Sequence, residues 1–283
     1  MLLAIDVGNT HTVIGVFDGP GADGQLVDHW RIASEAHRTA DEHGVLIRGL
    51  LDHLPGGADS VTGAVVCSTV PAVLHQMRSM FARYFAGVPA VVVEPGVRTG
   101  IAVHTDNPKE VGTDRVVNAL AAVALYGGPA IVVDFGTATT FDAVSARGEY
   151  LGGAIAPGIE ISVDALGARG AQLLKVELAR PRSVIGKNTV ECLQAGILFG
   201  FAGQVNGVVD LMARELGEPE RKVTVVATGG LAPLLLSELG RVDVHEPWLT
   251  LIGLRLVFDK NVNGGNGGNG GNGGTGTVRA GGQ

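Results

Sequence analysis

The chain has no run of Lys or Arg, and its 21 basic residues are outnumbered by 28 acidic ones, for a formal charge of -7. That balance excludes an electrostatic grip on nucleic acid or on an anionic membrane. A small anionic ligand is still compatible with it, because a local site can be positive on an acidic protein. Cysteine is scarce. Cys67 and Cys192 stand far apart in apolar surroundings, with no Cys-x-x-Cys and no nearby His partners, so both are expected to be buried free thiols in a reduced, cytoplasmic compartment. The N-terminal Met1-Leu-Leu-Ala-Ile meets Asp6 without a basic segment before it, which is not the pattern of a secretory signal. Two long uncharged apolar stretches, 118–133 and 192–209, are interrupted by Gly-Gly-Pro or by Gln and Asn, so no membrane span is expected. Several motifs are also missing: there is no G-x-S-x-G elbow and no H-E-x-x-H. There is no Walker A either, since Gly186-Lys187 is followed by Asn188 and residue 181 is Pro.

What is present is a core. Hydrophobic residues make up 46% of the 283, enough for one large domain or two of ordinary size. Gly is abundant, at 44 residues. Part of it lies after Asn263, where N-G-G repeats four times, and a segment with so little to bury is expected to be a flexible tail over 261–283. The remaining glycines must serve turns and close backbone approaches.

The chain repeats itself. An apolar run at 2–5 ends in Asp6-Val-Gly-Asn-Thr and is followed by a second strand-like run at 12–17. The same pattern returns at 130–133, which ends in Asp134-Phe-Gly-Thr-Ala-Thr-Thr and is followed by 141–144. Each half offers a further strand, at 27–32 and 150–155. Each also has a later apolar run into a small-residue turn, Ala64-Val-Val-Cys-Ser-Thr in the first and Val225-Val-Ala-Thr-Gly-Gly in the second. Apolar residues at three- and four-residue spacing predict helices over 39–53, 71–85, 113–126, 190–216 and 231–239. Strands alternating with helices in both halves predict two α/β lobes of similar plan joined near 96–113.

A carboxylate at a strand's end, followed by Gly and then Asn or Thr, suits a tight turn between adjacent strands. Backbone N–H groups there can bind phosphate oxygens while the carboxylate holds a hydrated metal ion. One such turn is ordinary hairpin chemistry. Two at equivalent points of two lobes would enclose a nucleoside triphosphate.

On these turns the chain resembles the acetate and sugar kinase/Hsp70/actin superfamily, and within it the type III pantothenate kinases. Asp6-Val-Gly-Asn-Thr is similar to that family's first phosphate motif and Asp134-Phe-Gly-Thr-Ala-Thr-Thr to its second. Asn107-Pro-Lys-Glu-Val-Gly-Thr-Asp-Arg115 is similar to its pantothenate-binding segment. Gly152-Gly-Ala-Ile-Ala-Pro-Gly158 and Thr228-Gly-Gly230 fit in order and spacing. The resemblance spans about residues 1–258. It implies an α/β fold of two similar actin-like (ribonuclease H-like) lobes, 1–110 and 111–260, with a nucleotide cleft between them. It also implies transfer of the γ-phosphoryl group of ATP to the primary hydroxyl of pantothenate, the first step toward coenzyme A.

By the same resemblance Asp114 is the general base. Asp6, Val7, Gly8, Asn9, Thr10, His11, Thr12, Val13 and Thr137 contact ATP. Gly112, Thr113, Asp114, Arg115 and Thr189 contact pantothenate, Thr189 across a homodimer interface. Asp6 lies near Mg²⁺ and Asp134 near a monovalent cation, K⁺ or NH₄⁺. Many relatives place an aromatic just before the Asp-Asn-Pro where this chain has Thr105, a smaller side chain that would loosen packing around the substrate's apolar arm or be compensated by another residue. Two alternatives stay open: another small-molecule kinase of the superfamily, and a nucleotide-binding regulator without turnover.

Local chemistry gives several of these residues a plainer reading as well. Asp114 suits the N-cap of a helix beginning near Arg115. His11 reads as an exposed turn histidine, and Arg115, Lys109 and Lys187 read as solvated. His37, His43, His53 and His75 are scattered without metal spacing, so no zinc site is expected. Gly19-x-Gly21-x-x-Gly24 links two strands and is expected to be a hairpin loop, not a dinucleotide motif. The absence of a Ser or Cys nucleophile suits phosphoryl transfer, which works by positioning and charge neutralisation.

Overall fold

The computed structural model describes residues 1–19, 24–169, 176–217 and 222–262. Of the tail expected over 261–283, residues 261–262 are helical and 263–283 lie outside the described residues, as do residues 20–23 of the expected Gly19–Gly24 loop. In chain order the elements are β1 (Leu2–Val7), β2 (His11–Phe17), β3 (Leu26–Ala33), α1 (Ala40–Leu51), β4 (Gly63–Ser68), α2 (Pro71–Tyr84), β5 (Ala90–Val93) and α3 (Thr113–Tyr126). They continue with β6 (Ala130–Phe135), β7 (Ala138–Val144), β8 (Tyr150–Pro157), α4 (Ile159–Arg169), α5 (Thr189–Leu216), β9 (Thr224–Thr228), α6 (Ala232–Leu235), β10 (Val244–His245) and α7 (Leu249–Val262). Two compact units result. The first gathers 1–100, 109–121 and, among the described residues, 250–262; the second gathers 101–108 and 122–249.

The first unit is built on a five-stranded sheet in the order β3-β2-β1-β4-β5. β1 pairs antiparallel with β2 and parallel with β4. Side chains alternate across a strand, so Leu3, Ile5 and Val7 enter one core with Ile47, Leu51, Met77 and Phe81 from α1 and α2. Leu2, Ala4 and Asp6 face the other way. The helices on the first face start on local signals. Thr39 caps α1 with a reciprocal Glu42 bond, and Pro71 sits in the first turn of α2.

α7 lies against the same unit. Its Arg255 guanidinium stands 5.2 Å from the Phe17 ring, and Thr250 donates to Asn118 of α3 at 2.8 Å. A Cβ built on Gly253 would come 2.3 Å from the Val117 carbonyl oxygen, so glycine is what lets α7 approach α3. The sequence reading missed α7 because it is apolar nearly all round, which marks a buried helix and leaves no amphipathic contrast. It missed β5 as well, a run of only four residues buried on both faces.

The second unit repeats the plan, with β10-β9-β6-β7-β8 in one sheet, β6 antiparallel to β7 and parallel to β9. β6 to β10 thus correspond to β1, β2, β3, β4 and β5 in pairing and direction, and the internal repeat seen in the sequence is a structural one. α5 begins at an Asn188 N-cap and ends at Gly217 in the left-handed conformation. It is long and apolar enough to cross a membrane by length and composition. Its Leu198, Ala202, Val205 and Val209 nevertheless pack in the core of the unit. Cys192, expected to be buried, is exposed, since it falls on the outward side of that helix. The helix expected over 231–239 shortens to α6 followed by a 3-10 turn at Leu236–Glu238. The α/β class with two similar halves stands as read.

Two outcomes follow for the first unit. Gly253→Ala should cost about 1–3 kcal/mol by overpacking, which lowers the thermal midpoint by about 2–4 °C for each kcal/mol. His43 on α1 is 2% exposed, and neither ring nitrogen has a hydrogen-bond partner. Burial, aided by the Arg38 charge, lowers its pKa to about 4. The unfolded chain therefore binds a proton that the fold rejects, and stability is lost as pH falls from about 6.5 through about 4. His43→Leu should flatten that decline in thermal melts at stepped pH, whereas an unchanged slope would show that His43 does not cause it.

Candidate active site

β1 ends at Val7, and the chain reverses through Gly8, Asn9 and Thr10 into β2. The turn is tight: the Gly8 N–H donates to the His11 carbonyl at 3.0 Å. Asn9, Thr10 and His11 are exposed, so their polar groups face solvent and any ligand there. Thr12 is buried, with its hydroxyl 2.8 Å from that of Ser34, so its side chain turns into the fold. Val13 pairs with Asp6 across the sheet.

Asp6 projects from the sheet face opposite the α1/α2 core. Its Oδ1 accepts from the Cys67 thiol at 3.2 Å. Desolvation, and then the charge of Asp114, push its pKa up to about 7, against a smaller lowering by the Cys67 bond. Asp114 is thus close enough to be felt electrostatically, although it lies far along the chain. It sits in the first turn of α3, which starts at Thr113; Asp114 is therefore inside the helix, not its N-cap. The Gly112 carbonyl accepts from the Val116 N–H at 3.2 Å, so the helix covers the 113–126 that its spacing predicts and starts ahead of the Arg115 that the N-cap reading of Asp114 required.

Burial raises the Asp114 pKa, partly offset by the Arg115 and Asp114 backbone amides and by the Arg115 charge. Its Oδ1 is buried without a hydrogen-bond partner, and so is the Thr113 hydroxyl. A Cβ on Gly112 would stand 2.5 Å from that same Oδ1, so the glycine makes room for the carboxylate. Gly112, Thr113, Asp114 and Arg115 therefore form one group beside Asp6 in the first unit.

The second unit builds its own turn. After Asp134 and Phe135, the Gly136 N–H donates to Ala138 at 3.1 Å, and the Gly158 N–H donates to the Thr137 carbonyl at 3.1 Å. Any side chain at Gly158 would strike the Thr137 and Gly136 carbonyls, at 2.2 and 2.6 Å. Gly229, with φ +91°, comes so close that a Cβ would lie 2.5 Å from Asp134 Oδ1. Three glycine-bearing segments, 134–137, 157–158 and 228–229, thus converge on Asp134 and Thr137. Thr189 is exposed at the start of α5, and the Thr105 hydroxyl is buried without a partner.

Among the described residues, no three His, Cys, Asp or Glu side chains gather as a metal cluster. The donors suit a different kind of metal binding. Mg²⁺ is commonly held by one or two carboxylates plus substrate phosphates, and Asp6, a desolvated carboxylate beside a phosphate-type turn, fits that role. The sequence reading did not single out Cys67 as a neighbour of Asp6. The only trace was the apolar run into Ser-Thr at 64–69, and a parallel register cannot be read from a run alone.

The family model for type III pantothenate kinases matches residues 2–211. Type III pantothenate kinase of Streptomyces avermitilis is 65% identical over 267 residues, covering 93% of this chain and 99% of that protein. That of Acidothermus cellulolyticus is 64% identical over 262 residues, covering 93% and 99%. Among solved structures, the activator of 2-hydroxyisocaproyl-CoA dehydratase from Clostridium difficile with bound ADPNP matches with a TM-score of 0.53 at 13% identity, covering 92% of this chain and 94% of that one. At that identity the likeness shows the fold alone. The near full-length identity with the curated relatives, together with the family match, shows that the chain belongs to the type III pantothenate kinase family.

Proposed function

We propose that the protein is an ATP-dependent pantothenate kinase that forms 4′-phosphopantothenate, the first step of coenzyme A biosynthesis, in the cytoplasm. The observation that carries this reading is the buried Asp114 carboxylate, which keeps one oxygen unpartnered within electrostatic reach of Asp6. An isolated structural role would leave such a group without compensation. A base waiting for a substrate hydroxyl needs that free oxygen.

Asp114 accepts the proton of the pantothenate primary hydroxyl as its oxygen bonds to the γ-phosphorus and the bond from phosphorus to ADP breaks. Its raised pKa makes it a better proton acceptor than an ordinary Asp, while the amides of the first helical turn keep the charged form accessible. Arg115 holds the pantothenate carboxylate, for which a planar guanidinium offers paired donors. Gly112 and Thr113 complete the acceptor side. The Gly8–Thr10 backbone, with His11 beside it, and Thr137 bind ATP. Val7, Thr12 and Val13 support the first turn from within the sheet.

Asp6 holds Mg²⁺, which neutralises phosphate charge when bound, and Asp134 holds a monovalent cation, K⁺ or NH₄⁺. Homodimerisation is supported by apolar side chains exposed on the second unit, including Ile155 (66%), Val184 (65%) and Ile185 (73%). Thr189, exposed beside them, reaches the partner's substrate.

The deciding assay is ADP release with and without pantothenate, set beside a panel of sugars and acids. Release independent of pantothenate would sink this reading. Asp114→Asn should lower kcat by about 10²–10⁴-fold with little change in KM for ATP. Because the base must be ionised, kcat should fall on the acid side, with its midpoint above the usual Asp range; an acid limb at or below that range would contradict the burial of Asp114. Light scattering should give twice the 29.0 kDa chain mass.

A further inference from the structure

Phosphate turn, base and carboxylate ligand are all assigned above, yet one group in direct contact with Asp6 has no part in them. Cys67 lies on β4, beside Asp6 in the parallel register of β1 and β4. It is 0% exposed, and its Sγ stands 3.2 Å from Asp6 Oδ1. In that contact the thiol is the donor and the carboxylate oxygen the acceptor.

The setting makes that donor matter. The bond takes up one of the two oxygens of the Asp6 carboxylate, in the same unit as an Asp114 whose Oδ1 has no partner. The second unit places a group of the same capacity at the same point. There Thr228 of β9 stands in register with Asp134 of β6, and it is 2% exposed. In both halves the strand parallel to the central one therefore sets a small side chain with a proton to donate beside the acid.

We propose that Cys67 is a positioning residue, whose S–H occupies one oxygen of Asp6 and so fixes that carboxylate for the metal of the bound nucleotide. This rests on the assignment of Asp6 to Mg²⁺. Loss of such an outer partner typically costs about 10–100-fold in metal affinity or activity, and a thiol, as a weak donor, belongs at the low end.

The test uses the full-length protein and the variants Cys67→Ala, Cys67→Ser and Asp6→Asn. It reads the Mg²⁺ concentration for half-maximal rate, KM for pantothenate, and the rise in thermal midpoint on adding Mg²⁺ with ATP. Cys67→Ala is expected to raise the Mg²⁺ requirement about tenfold and to shrink the thermal rise, with KM for pantothenate unchanged. Cys67→Ser, which restores a donor, is expected to recover most of both. In an Asp6→Asn background, Cys67→Ala should reduce the thermal rise no further. A Cys67→Ala protein with wild-type Mg²⁺ requirement and thermal rise would overturn the proposal, as would a Cys67→Ser protein no better than Cys67→Ala. Should Cys67→Ala not fold, Cys67→Ser decides alone, and a tenfold higher Mg²⁺ requirement in it counts against the idea. If Asp6→Asn itself leaves the Mg²⁺ requirement unchanged, the assignment of Asp6 fails, and that result is separate from any behaviour of Cys67.

Discussion

Each half of this chain depends on a central strand that is antiparallel to one neighbour and parallel to the other. β1 pairs in this way with β2 and β4, and β6 with β7 and β9. The antiparallel side forces an immediate reversal, so the strand must end in a tight turn. The parallel side brings in the end of a strand that arrives from a distant helix. Ligands of open α/β sheets gather beyond the carboxyl ends of strands, and here those ends carry Asp6 with Cys67 and Asp134 with Thr228. The pairing puts the acid beside backbone amides on one side and a small donor on the other.

The cost of this arrangement falls in the first unit. Two carboxylates are desolvated within electrostatic reach of each other, and the Arg115 charge, the first-turn amides and the Cys67 thiol offset this only in part. Burial of that kind destabilises a fold, and it is characteristic of functional sites. The surroundings tolerate it through geometry. Gly112 gives the Asp114 carboxylate its space, and Gly253 lets α7 brace α3, the helix whose first turn carries that carboxylate. Local rules of polar satisfaction are broken at the site and kept in the strands and helices around it, where capping, alternation and packing agree.

Much of the fold was legible because its signals are local. The repeat is visible as Asp6-Val-Gly and Asp134-Phe-Gly after apolar runs, α1 announces itself through Thr39 and Glu42, and α3 was placed at 113–126 by spacing alone. Four elements were not legible, for different reasons. α7 is apolar on nearly every side, β5 and the two-residue β10 are too short to show a period, and α4 begins directly behind Pro157-Gly158, inside what reads as a turn motif. The N-cap reading of Asp114 failed by a shift of one or two positions, since the helix starts at Thr113 and takes the acid into its first turn. Cys192 was misjudged because apolar neighbours in sequence say nothing about which side of a helix a residue occupies.

The sequence alone determined the duplicated α/β plan, the acid-glycine turns and the family, because strand alternation, turn chemistry and motif order are written in consecutive residues. Only the tertiary structure decided that Asp114 stands within electrostatic reach of Asp6, that Cys67 is the group touching that acid, and that the C-terminal helix belongs with the first unit. These are contacts between segments far apart in the chain. They are fixed by strand register and by how closely helices can approach, which no local pattern encodes.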